Sequence, residues 1–128
     1  MYTQSFFGSL QNNSNQEYRC NQAKSLQSSF SSPSCLMNFQ LQSDGIFGIL
    51  NVQNNQYFQS SIGTMVDSIT GTGQEWRLIP YNGSNTQFYV QNVENNEYMT
   101  SSASKLHSGT PGASEIWNIV EITDLASV

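Results

Sequence analysis

The sequence predicts an all-β chain built from three similar units. The main observation is an internal repeat, because residues 47–60 and 88–101 are identical at seven of fourteen positions at a constant offset of 41. The same offset pairs Trp76 with Trp117. No segment keeps apolar residues at helical spacing, whereas β-branched and aromatic residues mark the periodic stretches. We therefore expect strands and no helix in each unit.

The second unit shows the order of the elements best. Residues 47–52 predict a first strand, and the Asn54-Asn55 pair, which tolerates positive φ, predicts a hairpin turn into a second strand over 56–60. A third strand centres on Met65. A Gly-Thr-Gly break at 71–73 then precedes a fourth strand over 75–80. The units are expected to begin near residues 5, 45 and 86.

The first unit is a divergent copy. Its residues 7–18 resemble residues 47–57, but they carry one extra residue between the phenylalanine and the tyrosine. Beyond Tyr18 the spacing recovers, because the interval from the tyrosine of each unit to Met37, Trp76 or Trp117 is the same in all three. Residues 23–34 have low complexity when taken alone, yet their register predicts a third strand and its loops.

Three units of about 40 residues restrict the architecture. A β-propeller needs at least four blades, and an open solenoid leaves unpaired strand edges. A closed β-trefoil needs only three units and leaves no unpaired strand edge in its barrel. Each unit gives two barrel strands and one hairpin. The trefoil needs one large apolar residue per unit at each core position, and three triplets fit: Leu26, Met65 and Leu106; Met37, Trp76 and Trp117; Phe39, Leu78 and Ile119. We expect one trefoil domain over residues 1–128, with repeats at about 1–43, 44–84 and 85–128.

The composition restricts the partners. Ser, Asn, Gln and Thr make up 55 of the 128 residues, and only 10% are charged, against roughly 25% in an average domain. An apolar fraction of 37% with fifteen aromatic residues indicates a folded core rather than disorder. A net charge of −5 argues against nucleic acid, and no apolar run is long enough for membrane insertion. A neutral, hydroxyl-rich ligand suits this surface.

The cysteines and the N-terminal residues bear on the cellular location. Cys20 and Cys35 are too few for a disulfide scaffold, so we expect a reduced, partly buried pair. Their separation along the chain would allow a bridge in an oxidising compartment. No signal peptide is recognised, because no basic region precedes a long apolar one. This favours the cytoplasm, with release by a non-classical route as the alternative.

Two short motifs carry a family resemblance. Residues 74–76 (Gln-Glu-Trp) and 115–117 (Glu-Ile-Trp) resemble the Q-x-W signature of ricin B-type trefoil lectins, whereas the first unit reads Cys-Leu-Met at 35–37. Residues 51–57 and 92–98 resemble the strand, turn and strand that open each repeat in the small fungal members of that family. The resemblance spans nearly the whole chain. It implies a carbohydrate-binding lectin with sites on the outward side of the second and third strands.

The resemblance also points to candidate contact residues. Galactose-binding members carry an Asp two residues after the hairpin tyrosine, and this chain has Gln59, Thr100 and Cys20 there. Gln59 and Thr100 stay candidates because amide and hydroxyl groups both donate and accept hydrogen bonds. A plain transfer of the galactose site does not follow.

Three further side chains are candidate sugar contacts. His107, the only histidine, follows an inward-pointing leucine and should point outward. Asp67 offers a carboxylate to hydroxyls, and Tyr81 offers an aromatic face. Each has a structural alternative: an exposed ring, a turn residue and a packing residue respectively.

The motif residues themselves are assigned to the scaffold. A tryptophan that repeats at core register normally packs in the core, so Trp76 and Trp117 are expected there. Gln74 and Glu115 are expected to position loops by hydrogen bonds to backbone groups.

The predicted function is a non-catalytic, metal-independent lectin that uses no cofactor and binds a neutral glycan or glycoprotein. Units two and three should carry the usable sites. One histidine and no H-E-x-x-H, P-loop or nucleophile elbow argue against an enzyme. The alternatives are a trefoil protease inhibitor with a protruding loop, such as residues 28–34, and a structural or storage protein. Weak single sites would gain avidity from a second site or from a homodimer.

Overall fold

In the computed structural model of the chain, which describes residues 2–124, twelve β-strands form three units of four. The first unit contains β1 (Phe6–Asn12), β2 (Tyr18–Arg19), β3 (Leu26–Gln27) and β4 (Met37–Ser43). The second contains β5 (Ile46–Asn51), β6 (Gln56–Phe58), β7 (Met65–Val66) and β8 (Trp76–Pro80). The third contains β9 (Gln87–Asn92), β10 (Tyr98–Met99), β11 (Leu106–His107) and β12 (Ile116–Glu121). The units begin where the repeat predicts.

Six strands, two from each unit, close a barrel. β1 pairs with β12 and β4, β5 pairs with β4 and β8, and β9 pairs with β8 and β12, all antiparallel. The ring is complete, so none of its strands has a free edge. The other six strands form three short hairpins: β2–β3, β6–β7 and β10–β11. This is the predicted β-trefoil.

The predicted triplets occupy the core. The Trp-position triplet of Met37, Trp76 and Trp117 is fully buried, and the Phe39 triplet is at most 4% exposed. The Leu26 triplet is partly buried and packs against this core. The indole Nε1 groups of the two tryptophans donate to backbone carbonyls 3.1 and 3.0 Å away, so their burial leaves no donor unsatisfied.

A buried asparagine fixes the first hairpin of every unit. Asn12, Asn51 and Asn92 are fully buried, and each Nδ2 donates across to a loop carbonyl at 2.8 to 3.0 Å. Each Oδ1 accepts from backbone amides of its own turn. Four residues after each asparagine the chain turns through positive φ, at Gln16, Asn55 and Asn96. The asparagine turn at residues 54–55 is confirmed and recurs in all three units.

The first unit carries no extra residue. Its buried asparagine and its tyrosine are both offset by 39 from their counterparts in unit two. Gly8 pairs with Met37 as Phe47 pairs with Trp76, so Gly8 occupies the Phe47 position. The predicted insertion was wrong because it matched Phe7 to Phe47. The nearby buried ring of unit one is that of Phe6, which stacks on Phe39 and meets Phe47 edge-on.

No α-helix occurs between residues 2 and 124, and thus none that would cross a membrane. Single 3-10 turns do occur in this range, at Thr72–Gln74, Tyr81–Gly83 and Ala113–Glu115. The first and third are equivalent. In both, the chain turns at a glycine because the side chain three residues later, Gln74 or Glu115, accepts a hydrogen bond from the backbone amide of that glycine.

Cys20 and Cys35 form a disulfide bond, and both residues are fully buried. The expected reduced pair was therefore wrong. The physical reason lies in the repeat, because three equivalent and equally spaced pairs of residues face one another: Cys20 and Cys35, Gln59 and Gln74, Thr100 and Glu115. Gln74 Nε2 donates to Gln59 Oε1 at 3.2 Å, and the Thr100 hydroxyl donates to the Glu115 carboxylate. We call these three pairs the loop joints. Unit one has a covalent joint where the others have hydrogen bonds.

Candidate functional site

Tyrosine rings form a continuous group on the outside of the molecule, where the end of unit two meets unit three. Tyr89 alternates along β9 with the buried Phe88 and Val90, so it points outward. Its ring contacts Tyr81 edge-on at 5.6 Å and Tyr98 at 5.9 Å between centroids. All three tyrosines are half-buried.

The hairpin of unit three adds a histidine. Tyr98 lies directly opposite His107 in the pairing of β10 with β11. The His107 side chain is 40% exposed, as an outward position requires. We call Tyr81, Tyr89, Tyr98 and His107 the tyrosine cluster. It presents aromatic surface to solvent.

Polar groups lie along the edge of the tyrosine cluster. Gln91 Nε2 donates to the Tyr98 hydroxyl at 3.3 Å. His107 Nε2 is 3.0 Å from the Thr110 carbonyl oxygen and 4.0 Å from the Glu115 carboxylate. The edge therefore contains both hydrogen-bond donors and acceptors beside the rings.

The surroundings of Tyr89, the central ring of the cluster, favour the protonated form of its hydroxyl. Desolvation, followed by the nearby Tyr81 and Glu115, raises the pKa of Tyr89 above its ordinary value. A raised pKa favours the neutral phenol, so Tyr89 is able both to donate and to accept a hydrogen bond at neutral pH.

Unit two does not repeat this cluster. Gly48 stands at the position of Tyr89, and a Cβ built on it would lie 2.6 Å from Ile69 Cδ1 and 3.4 Å from the Tyr57 ring. Gln40 stands at the position of Tyr81 and accepts a hydrogen bond from the Tyr57 hydroxyl at 2.7 Å. Tyr57 thus packs over a glycine where Tyr98 meets a second ring.

The sequence-predicted contact residues fall into two groups. Tyr81 and His107 belong to the tyrosine cluster, and Thr100 reaches it through its hydrogen bond to Glu115. Gln59 and Asp67 lie in unit two. Gln59 Nε2 donates to Thr64 at 2.9 Å, and the exposed Asp67 accepts from Gln56 at 3.0 Å.

The residues assigned to the scaffold are found in that role. Gln74 Oε1 accepts from the amides of Thr70 and Gly71 at 2.8 and 3.1 Å, and Glu115 accepts from the amide of Gly112 at 2.7 Å. Both side chains are buried. Their hydrogen bonds fix the conformation of the loop that precedes each core tryptophan.

Sequence reasoning missed Tyr89 and Tyr98 as site residues. The signal was present, because the repeat offset matches Tyr89 to a glycine and so marks it as special to unit three. Tyr98 was hidden by its recurrence, since a tyrosine occurs there in all three units. Over residues 2–124, no group of three or more His, Cys, Asp or Glu side chains is arranged to hold a metal ion.

Solved structures with this fold include proteins that bind carbohydrate. A designed threefold-symmetric protein, ThreeFoil, superposes with a TM-score of 0.76 at 10% identity, over 91% of this chain and 99% of that chain. SeviL bound to an asialo-GM1 saccharide gives 0.73 at 17% identity, over 92% and 98%. A lectin of Polyporus squamosus bound to a sialylated epitope gives 0.71 at 12%, over 94% of this chain and 50% of that one. At such low identity, the likeness shows the β-trefoil fold.

One similar structure belongs to an enzyme. An endo-β-galactosidase from Clostridium perfringens gives a TM-score of 0.74 at 13% identity, over 92% of this chain but only 33% of that protein. The match therefore covers one part of a longer enzyme. No family model and no curated protein matches the sequence.

Proposed function

We propose that this chain is a non-catalytic carbohydrate-binding protein, a lectin, that binds a neutral glycan at the tyrosine cluster. The observation that carries the proposal is the run of three outward tyrosine rings with donors and acceptors at its edge. Aromatic faces cover the apolar side of a sugar ring, while a few placed polar groups bind its hydroxyls. The saccharide-bound proteins of the same fold support this assignment.

The two groups of predicted residues have unequal parts in the proposal. Tyr81, at the end of unit two, and His107 and Thr100 of unit three belong to the main site, with Thr100 holding Glu115 in place. Gln59 and Asp67 form a second, weaker site in unit two, because that unit lacks the ring pair. The first unit offers Cys20 at the equivalent position, and its sulfur is committed to the disulfide.

The protease-inhibitor alternative required a loop without counterparts. Residues 28–36 join β3 to β4, and residues 67–75 join β7 to β8 with the same length. In unit three, residues 108–115 make the equivalent connection, shorter by one because β12 begins one residue before the core tryptophan. Repeat-related loops that match so closely favour the lectin over the inhibitor.

The disulfide bears on where the protein works. Disulfides persist in oxidising environments. We propose that the chain functions after release from the cell, as one trefoil domain, with a homodimer as a further source of avidity.

The proposal is tested with a glycan array followed by calorimetric titration of the selected glycan. We expect Tyr89→Ala to weaken binding at least about tenfold, since it removes the central ring. Tyr57→Ala, which removes the unit-two counterpart of Tyr98, serves as the control and should weaken binding less than about twofold. Equal affinity of wild type and Tyr89→Ala would reject the site. Absence of any glycan binding, together with tight inhibition of a protease, would establish the alternative.

A further inference from the structure

A cavity lies where the three short hairpins meet. It has a volume of about 370 Å³ and is lined by residues of all three units. Lys24, Gly63 and Ser104 occupy equivalent positions in the three hairpins, which places the cavity on the pseudo-threefold axis. The Lys24 side chain crosses to unit two, its Cε 3.6 Å from the place where a Cβ of Gly63 would stand. We call this space the axial cavity.

The axial cavity gathers most of the positive charge of the molecule. The chain has four basic residues and nine acidic ones. Lys24 and Lys105 line the cavity, and both are exposed. A third basic residue, Arg19, lies beneath it, because its guanidinium donates to the carbonyls of Ala23 and Ala103, the residues just before Lys24 and Ser104. Only Arg77 lies elsewhere.

Arg19 is an unusual core residue. It is fully buried at the position that Phe58 and Met99 fill in the other units, and its guanidinium lies over the Phe58 ring at 5.4 Å. Its two carbonyl partners carry no charge, its Nε has no hydrogen-bond partner, and no carboxylate of residues 2–123 forms an ion pair with it. Burial lowers the pKa of Arg19 to about 10, so the side chain stays cationic at neutral pH. A buried charge without a counter-charge is costly.

Two carboxylates oppose this positive field. Glu97 lines the cavity, and Glu94 accepts a hydrogen bond from Ser60, another lining residue, at 2.7 Å. Three cations therefore face two anions, in a chain whose overall charge is −5. Among the hydroxyls of the walls, those of Ser60 and Thr64 already donate to Glu94 and to the Ser61 carbonyl, and that of Ser104 adds a hydrogen-bond donor.

We propose that the axial cavity binds a compact oxyanion, of the sulfate class, between Lys24 and Lys105 and above the buried Arg19. The two ammonium groups and the Ser104 hydroxyl would contact the oxygens directly. Arg19 acts from beneath as the fixed counter-charge. The site is separate from the tyrosine cluster and does not rest on the proposed lectin function.

The internal repeat supplies a conservative substitution for each residue, because the other units show what the backbone accepts. Lys24→Ser introduces the residue found at 104, Lys105→Thr the one at 64, Arg19→Met the one at 99, and Glu97→Gln the one at 56. Arg77→Gln removes a distant positive charge and is the control.

The test is an NMR titration of the ¹⁵N-labelled protein with sodium sulfate, against sodium chloride at equal ionic strength. We expect saturable shifts of the amides of residues 60–64 and 104–106. Lys24→Ser and Lys105→Thr should each weaken sulfate binding about fivefold or more, Glu97→Gln should strengthen it, and Arg77→Gln should leave it unchanged. Arg19→Met should also weaken it, and the two surface lysine variants keep the test decisive if that variant folds poorly.

Two arms distinguish the source of the anion. If galactose 6-sulfate binds at least tenfold tighter than sulfate, the site takes an anionic substituent of a glycan; equal affinity indicates a free oxyanion. Tyr89→Ala should leave sulfate binding intact, so this site and the lectin site fail independently. Shifts that do not saturate, or affinities unchanged in both lysine variants, would overturn the proposal.

Discussion

Single residues differentiate three backbones that are otherwise alike. The same buried position holds Arg19, Phe58 or Met99, and the same outward position on the barrel holds Tyr89 in one unit and Gly48 in another. Function in this molecule is therefore a property of individual side chains, because the trefoil frame is common to all three units.

The core tryptophans are the residues on which stability depends most. Trp76→Ala should lower the free energy of unfolding by about 3–5 kcal/mol, because it leaves a large cavity and removes the bond to the Phe58 carbonyl. Trp76→Met, which copies Met37 of unit one, should cost less. Urea denaturation measures both. A Trp76→Ala variant with normal stability but no glycan binding would show that Trp76 is a contact residue.

The buried asparagines should matter almost as much. Asn92→Ala leaves the Gly73 carbonyl and two turn amides without their partner, and we expect a loss of about 1–3 kcal/mol in unfolding free energy. Exposed Asn85→Ala is the matched control and should stay within about 0.5 kcal/mol. Equal denaturation midpoints for the two variants would contradict this role.

Sequence reasoning reached the core positions, which the repeat marks, and missed the roles of Arg19, Tyr89 and Tyr98. The apolar triplets and the two tryptophans recur at fixed offsets, and Gln74 and Glu115 occupy equivalent positions, so their burial and hydrogen bonding were predictable. The burial of Arg19 was not predictable, because a charged residue in a strand is ordinarily expected to be exposed. Tyr89 gained its role only from its neighbours Tyr81 and Tyr98, which are eight and nine residues away in the chain.

At the scale of elements, the strands of the barrel were predictable and the short hairpins much less so. β5 and β9 carry enough alternating residues to show a period of two. The second and third strands of each unit are only two or three residues long, too short for any periodicity. Only the register against the other units located them.

The disulfide stabilises the β2–β3 hairpin and the loop that follows it. A Cys20→Ser, Cys35→Ser double variant should lose about 3 kcal/mol of unfolding free energy, the loop-closure value for 15 residues. Glycan binding by the folded protein should persist, because no residue of the tyrosine cluster lies in unit one. Chemical denaturation and titration of the same sample check both parts. Loss of binding in a fully folded double variant would contradict the separation of the two features.

The closed barrel gives the whole molecule two kinds of surface. The tyrosine cluster offers a ligand mainly apolar faces and neutral hydrogen bonds, whereas the axial cavity offers charge. The first should depend little on ionic strength and the second strongly, because salt screens exposed charges.

This difference gives a test at the scale of the molecule. Raising sodium chloride from about 50 to 500 mM should change the affinity for neutral glycan less than about twofold and weaken the binding of sulfate several-fold. A chelator should leave glycan binding unchanged, since no carboxylate cluster suited to Ca²⁺ is visible in the sequence. Calorimetry with and without EDTA gives the answer. A strong effect of EDTA on glycan affinity would show that a cation takes part.

The loop joints indicate that a disulfide bond could be introduced at the equivalent position of another unit. The same backbone arrangement accommodates a disulfide in unit one, two amide side chains in unit two, and a hydroxyl with a carboxylate in unit three. In each unit the pair connects the hairpin to the loop before the fourth strand. Protein engineers are thus offered a ready position for a second bridge through Gln59→Cys with Gln74→Cys. The chain also preserves three solutions to one problem of attachment, as duplicated units diverging from a common ancestor would.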